Sequence, residues 1–136
     1  MSILRNSRLA PASFMVLACV LGASNAWADR KCEEDPAITG RTCSMVDCLS
    51  LQSNVNSACK NPEPVSCRRL SGCNVLRQER DRWLQCYIAR TIINSRCWNN
   101  GDPGHQRAAA QAIQNVSACD AKIAEPKPVG CADPCP

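Results

Sequence analysis

A small all-α bundle of about three helices, stapled by disulfides, is the fold class this sequence predicts, and three observations predict it. Apolar residues recur at helical spacing in three separate stretches. Eleven of the 12 cysteines lie among the 108 residues that follow Ala28, behind a leader-like N-terminus. Those 108 residues hold only Trp83, Tyr87 and Trp98 as aromatics. Crosslinks of about 2 to 4 kcal/mol each must supply what so meagre a core cannot.

Residues 1–28 read as a signal peptide. Arg5 and Arg8 precede an apolar run from Phe14 to Ala23, and Ala26-Trp27-Ala28 supplies a small-residue cleavage site. The mature chain then starts at Asp29 and is exported, to the periplasm or beyond. The run is too short, and too broken by Pro11 and Gly22, to span a bilayer. Val16-Leu17-Ala18-Cys19 offers a competing lipid-attachment reading, but Leu17 is bulky where a small residue is expected. Losing two of the 16 basic residues and none of the 12 acidic ones leaves a net charge near +2. Charge alone therefore does not argue for nucleic-acid binding.

Residues 29–42 form an irregular arm, charged, interrupted by Pro36 and Gly40 and tied down through Cys32. The helical domain is expected over 43–124. Its first helix runs from about Ser44 to Cys59, with Cys48, Leu51, Val55 and Cys59 on one stripe, and Lys60 to Pro64 ends it. The second runs from about Cys73 to Cys97, with a stripe of Leu76, Trp83, Cys86, Tyr87, Ile93 and Cys97. That length leaves room for a break. The third opens on Asp102 as cap and Pro103 at the first position, and its seam is His105, Ala109, Ala112, Val116, Cys119 and Ile123. Residues 125–136 are a proline-rich tail, pinned through Cys131 and Cys135.

Antiparallel pairing of the last two helices about Trp98 to Asp102 brings residues whose numbers sum to roughly 200 to 205 level. A Cys86–Cys119 disulfide is the expected staple. Pairing of Cys86 with Cys48 or Cys59 instead would undo the placement of His105 beside Arg90. An odd cysteine count predicts one free or intermolecularly bonded thiol, at Cys131 or Cys135, and hence a route to a disulfide-linked dimer.

The candidate site is built around the single histidine. His105 falls on the packing seam in the first turn of its helix, where the macrodipole disfavours the imidazolium. Arg90 interrupts the apolar stripe of the second helix and is costly there unless paired. It could reach the start of the third helix, whose N–H groups suit an anion. The competing readings are a packed or capping His105 and an Arg90 that ties Asp102 or a carbonyl. Seven arginines between Arg68 and Arg96 face only Glu79 and Asp81, a local excess that either steers a polyanion such as RNA or makes a solvated face.

One histidine and no Cys-x-x-Cys pair argue against a zinc centre, and no cofactor is expected. The sequence has no Gly-x-Ser-x-Gly elbow, no phosphate loop with lysine and no calcium loop. A secreted phospholipase A2 would need a Cys-Cys-x-x-His-Asp helix, which is missing.

The spacing from Cys59, Cys67 and Cys73 through Cys86-x-x-Ala89-Arg90-x-x-Ile93-Asn94-x-x-Cys97-Trp98-x-x-Gly101-Asp102-x-Gly104-His105 to Cys119 resembles the novel toxin 16 family of bacterial polymorphic toxin systems. The resemblance covers roughly Cys48 to Ala124. It implies an all-helical toxin domain that attacks RNA and is held in check by a cognate immunity protein. Asn100 stands where the family tends to have glycine, and Trp98 where it tends to have phenylalanine. Such domains usually end larger polypeptides, whereas here the domain is expected to follow its leader directly, as in a free-standing effector, a domesticated relative or a periplasmic protein that has lost activity.

The expected activity is metal-independent ribonuclease action. His105 moves the proton of the attacking hydroxyl, Arg90 stabilises phosphorane charge, Asp102 orients the loop or imidazole, and Tyr87 or water serves as the second proton carrier. The alternative is a non-enzymatic binding or inhibitor module that uses the arginine face.

Overall fold

The computed structural model describes residues 31–132. The expected leader, its cleavage site and Cys135 lie outside these residues. The arm carries a single turn of helix, α1 (Pro36–Thr39), capped by the Asp35 carboxylate and closed by Gly40 in the left-handed conformation. Then come α2 (Met45–Cys59), a 3-10 turn (Cys67–Arg69), α3 (Cys73–Trp98) and α4 (Pro103–Ile123). The small all-α, disulfide-rich fold is as expected.

Local chemistry sets the boundaries. Ser44 caps α2 by accepting from the Asp47 N–H at 3.1 Å, and its hydroxyl donates back to the Asp47 carboxylate. α3 runs unbroken. It ends where Asn99 and Asn100 take φ of 49° and 63°, a region that asparagine enters more readily than most residues. Asn100 therefore does the work of a glycine at this turn. Gly101 follows so closely on the helix end that a Cβ would lie 3.0 Å from the Trp98 carbonyl.

α3 is the axis of the bundle. Its Cys86, Ile93, Cys97 and Trp98 pack with Cys48, Val55 and Cys59 of α2 and with Ala112 of α4. At its N-terminal end Leu76, Cys67 and Cys119 form a second cluster. All six seam residues expected for α4 are buried or partly buried.

Five disulfides pair all ten described cysteines: Cys32–Cys48, Cys43–Cys97, Cys59–Cys86, Cys67–Cys119 and Cys73–Cys131. The expected Cys86–Cys119 bond is therefore wrong. The physical reason is register. Arg80 reaches Asp120, and Asn94 reaches Asp102, so level residues sum to about 196 to 200. That puts Ala112 and its neighbours opposite Cys86, and Cys119 near the start of α3 beside the 3-10 turn. Cys131 is also not the odd cysteine, because it holds the tail to the first residue of α3. The tail adds a Cys131 N–H bond to the Ile123 carbonyl at 2.8 Å, and Val129 accepts from the Gly72 N–H at 2.9 Å.

The linker before α3 is clamped by a buried charge. Glu79 accepts from the Val65 N–H at 2.9 Å and from Arg82 Nη1 at 2.6 Å. Arg82 also donates to the Pro62 carbonyl, and Trp83 Nε1 donates to the Val65 carbonyl at 2.9 Å. Arg80 pairs with Asp120 and Asp81; the hydrogen bond to Asp120, then that to Asp81, hold its guanidinium above the ordinary arginine pKa. The arginine face is thus partly committed to internal ties, while Arg68, Arg69, Arg77 and Arg96 are exposed.

Candidate functional site

α4 begins on Asp102, whose backbone N–H donates to Asn94 Oδ1 on α3 at 3.0 Å. Its carboxylate then turns back over the helix start, Oδ1 accepting from the Gly104 N–H and Oδ2 from the His105 N–H, each at 3.3 Å. The first-turn N–H groups expected to meet an external anion are therefore occupied by the protein's own carboxylate. This replaces the anion reading of that helix start.

His105 is fully buried, at 0% exposure, with Asp102 at 1% and Arg90 at 8%. The imidazole stacks on Trp98, with ring centroids 5.2 Å apart and planes inclined by 29°. Its Nδ1 lies 3.3 Å from Arg90 Nη1, and its Nε2 lies 3.6 Å from Asp102 Oδ2. A guanidinium carries donors only, so Nδ1 must offer its lone pair in this contact. Nε2 is the ring nitrogen on the Asp102 side, 3.6 Å from the carboxylate and beyond hydrogen-bond length. Carboxylate, imidazole and guanidinium adjoin one another along the α3–α4 junction.

Arg90, Asp102 and His105 are thus brought together. Cys86 pairs with Cys59, yet His105 still meets Arg90, so the expected dependence of one on the other fails. The seam of α4, not a staple to Cys86, fixes the rotation of that helix. Tyr87 sits one turn before Arg90, partly buried against the core, and no hydrogen bond ties its hydroxyl among the described residues. It does not join the trio. Two residues of the junction have no role in the spacing argument. Asn94 orients the Asp102 backbone, and Trp98 floors the imidazole. Asn94 carried the same signal as Arg90, a polar side chain on a buried stripe.

Arg90 also borders a surface cavity of about 320 Å³ between the end of α2, the middle of α3 and α4. Of the trio, Arg90 is therefore the residue that borders open space.

The chain matches the family described as novel toxin 16 over residues 39–122, which is more than half its length. It belongs to the novel toxin 16 family. No curated protein and no solved structure matches it. Membership makes this a toxin-like effector domain, and the matched residues run from the end of α1 nearly to the end of α4. The junction of Arg90, Asp102 and His105 lies well inside the novel toxin 16 region. No described helix is long and apolar enough to cross a membrane.

Proposed function

We propose that this toxin domain is exported and cleaves RNA without a metal, through the trio Asp102, His105, Arg90. The observation that carries the reading is the 3.3 Å contact between Arg90 Nη1 and His105 Nδ1. A phosphodiester arriving at the cavity competes for the guanidinium. As Arg90 turns to it, Nδ1 is released as a base. It takes the proton of the ribose 2′-hydroxyl, whose oxygen attacks phosphorus. The 5′-oxygen then leaves, taking a proton from water. Asp102 steadies the imidazolium that forms, and Arg90 stabilises the phosphorane charge.

The second reading, a non-enzymatic binding module, draws on the full burial of His105, which suits a packed, structural imidazole. Five disulfides fit an oxidising destination in either case. An immunity protein is the partner expected of an active toxin, and an eleventh cysteine, Cys135, offers a thiol for a covalent dimer.

Incubating oxidised protein from Asp29 onward with RNA in the presence of a chelator tests the first reading. Cleavage should be at least about 100-fold weaker in His105→Ala, the usual scale of a general base, with folding of both proteins checked by circular dichroism. Equal cleavage removes His105 from the mechanism. A folded wild-type protein that leaves RNA intact favours the binding module.

A further inference from the structure

The cavity at Arg90 has walls of a particular chemistry. Trp83 lines it from α3, Lys60 and Glu63 from the linker after α2, and Ala108 and Gln111 from α4, with the Cys59–Cys86 disulfide beside them. Trp83 is held at its polar end, Nε1 donating to the Val65 carbonyl, and packs against both core clusters, so the indole that borders the cavity is fixed. Gln111 and Lys60 are exposed. Larger cavities exist, one beside Cys43 and Arg96, one between α2 and α3 near Ile88 and one beside Pro62 and Arg82, but none of these touches the trio.

We infer that this cavity is a subsite for a single nucleotide unit, with the base against Trp83, its edge read by Gln111, and its phosphate between Arg90 and Lys60. About 320 Å³ is at the small end of ligand sites, enough for one nucleotide and too little for a duplex. A fixed indole beside two cations is the usual chemistry for holding an unpaired base and its phosphate. The Gln111 amide presents a donor and an acceptor side by side, which can discriminate between base edges. Glu63 accepts from an exocyclic amine and keeps the phosphate on the Arg90 side. Ala108 is one turn from His105, so a nucleotide seated here places its phosphate at the mouth of the trio. The substrate is then single-stranded.

The inference rests on the ribonuclease reading for its natural ligand, but its test needs no turnover. Calorimetric titration of the oxidised protein with uridine and guanosine 3′-monophosphates, uridine and orthophosphate separates the contributions. Both nucleotides should bind, and more tightly than either uridine or orthophosphate. Ala108→Phe, which fills the cavity from a half-exposed helical position, should weaken nucleotide binding at least about tenfold while leaving the melting temperature in place. Lys60→Ala should weaken binding of nucleotides but not of uridine, by about threefold to tenfold, in line with one exposed charge. Gln111→Ala should narrow the difference between the two bases.

Orthophosphate binding as tight as the nucleotides, nucleotide binding indifferent to Ala108→Phe, or no nucleotide binding at all would overturn the subsite. Should the protein bind nucleotides at the cavity yet leave RNA intact, the catalytic reading fails and the subsite stands. RNA cleavage unaffected by Ala108→Phe gives the reverse.

Discussion

The two flanks of α3 are held by different means. Towards α2 the contact is covalent: Cys59–Cys86 joins the helices directly, and Cys43–Cys97 and Cys32–Cys48 tie the arm to both. Towards α4 no described disulfide joins the two helices. There the junction is an alanine-rich seam ending in the cluster of Arg90, Asn94, Trp98, Asp102 and His105. Cys67–Cys119 fixes only the far end of α4, and it does so to the 3-10 turn. The difference teaches that the polar residues offered as chemistry are also the fastening of α4. A variant in that cluster will change stability along with any activity, whereas loss of a staple on the other flank changes stability and leaves the cluster in place.

His105→Ala should be the largest break. It deletes a fully buried ring, uncovers Trp98 and removes the imidazole from two charged neighbours, at a cost of about 3 to 4 kcal/mol in oxidised urea denaturation. A loss under about 1 kcal/mol would mean that the alanine seam alone fastens α4. Next, Cys59→Ala with Cys86→Ala opens a crosslink of sequence separation 27 and should cost about 3 kcal/mol. The comparison sharpens if the histidine signals in an NMR spectrum of that double variant stay unchanged, and it collapses if they move as in a change at Trp98. Asn94→Ala should cost least, about 1 to 2 kcal/mol, by leaving the buried Asp102 N–H without its acceptor. Hydrogen exchange at the Asp102 amide should quicken in step; unchanged protection would assign the anchoring of that loop elsewhere.

Much of this was readable from residues. The caps Ser44 and Asp102 and the proline at position 103 mark the starts of α2 and α4 because a helix start needs particular side chains at particular places. The seam from His105 to Cys119 is a local periodicity, and it put His105 against α3 correctly. Disulfide partners are a different kind of information. Cys86 and Cys119 lie on facing helices, but which cysteine each meets depends on a register shift of a few residues and on where the 3-10 turn docks. Neither leaves a mark in local spacing. The burial of Glu79 with Arg82 escaped notice for the same reason, since only the docked linker gives that carboxylate a reason to be inside. The N–H groups of α4 were legible as a site for negative charge; that Asp102 itself would fill them follows from both carboxylate oxygens turning inward.

The stretch between Cys97 and Cys119 is the longest between neighbouring cysteines among the described residues, and it contains Asp102 and His105. Cys97 on one side is bonded to Cys43, and Cys119 on the other to Cys67. As a covalent graph, therefore, the molecule has no cut point there. A protease that opened one peptide bond between them would leave a nicked, two-chain protein, still bridged by Cys67–Cys119 and Cys73–Cys131, which would separate into fragments only on reduction.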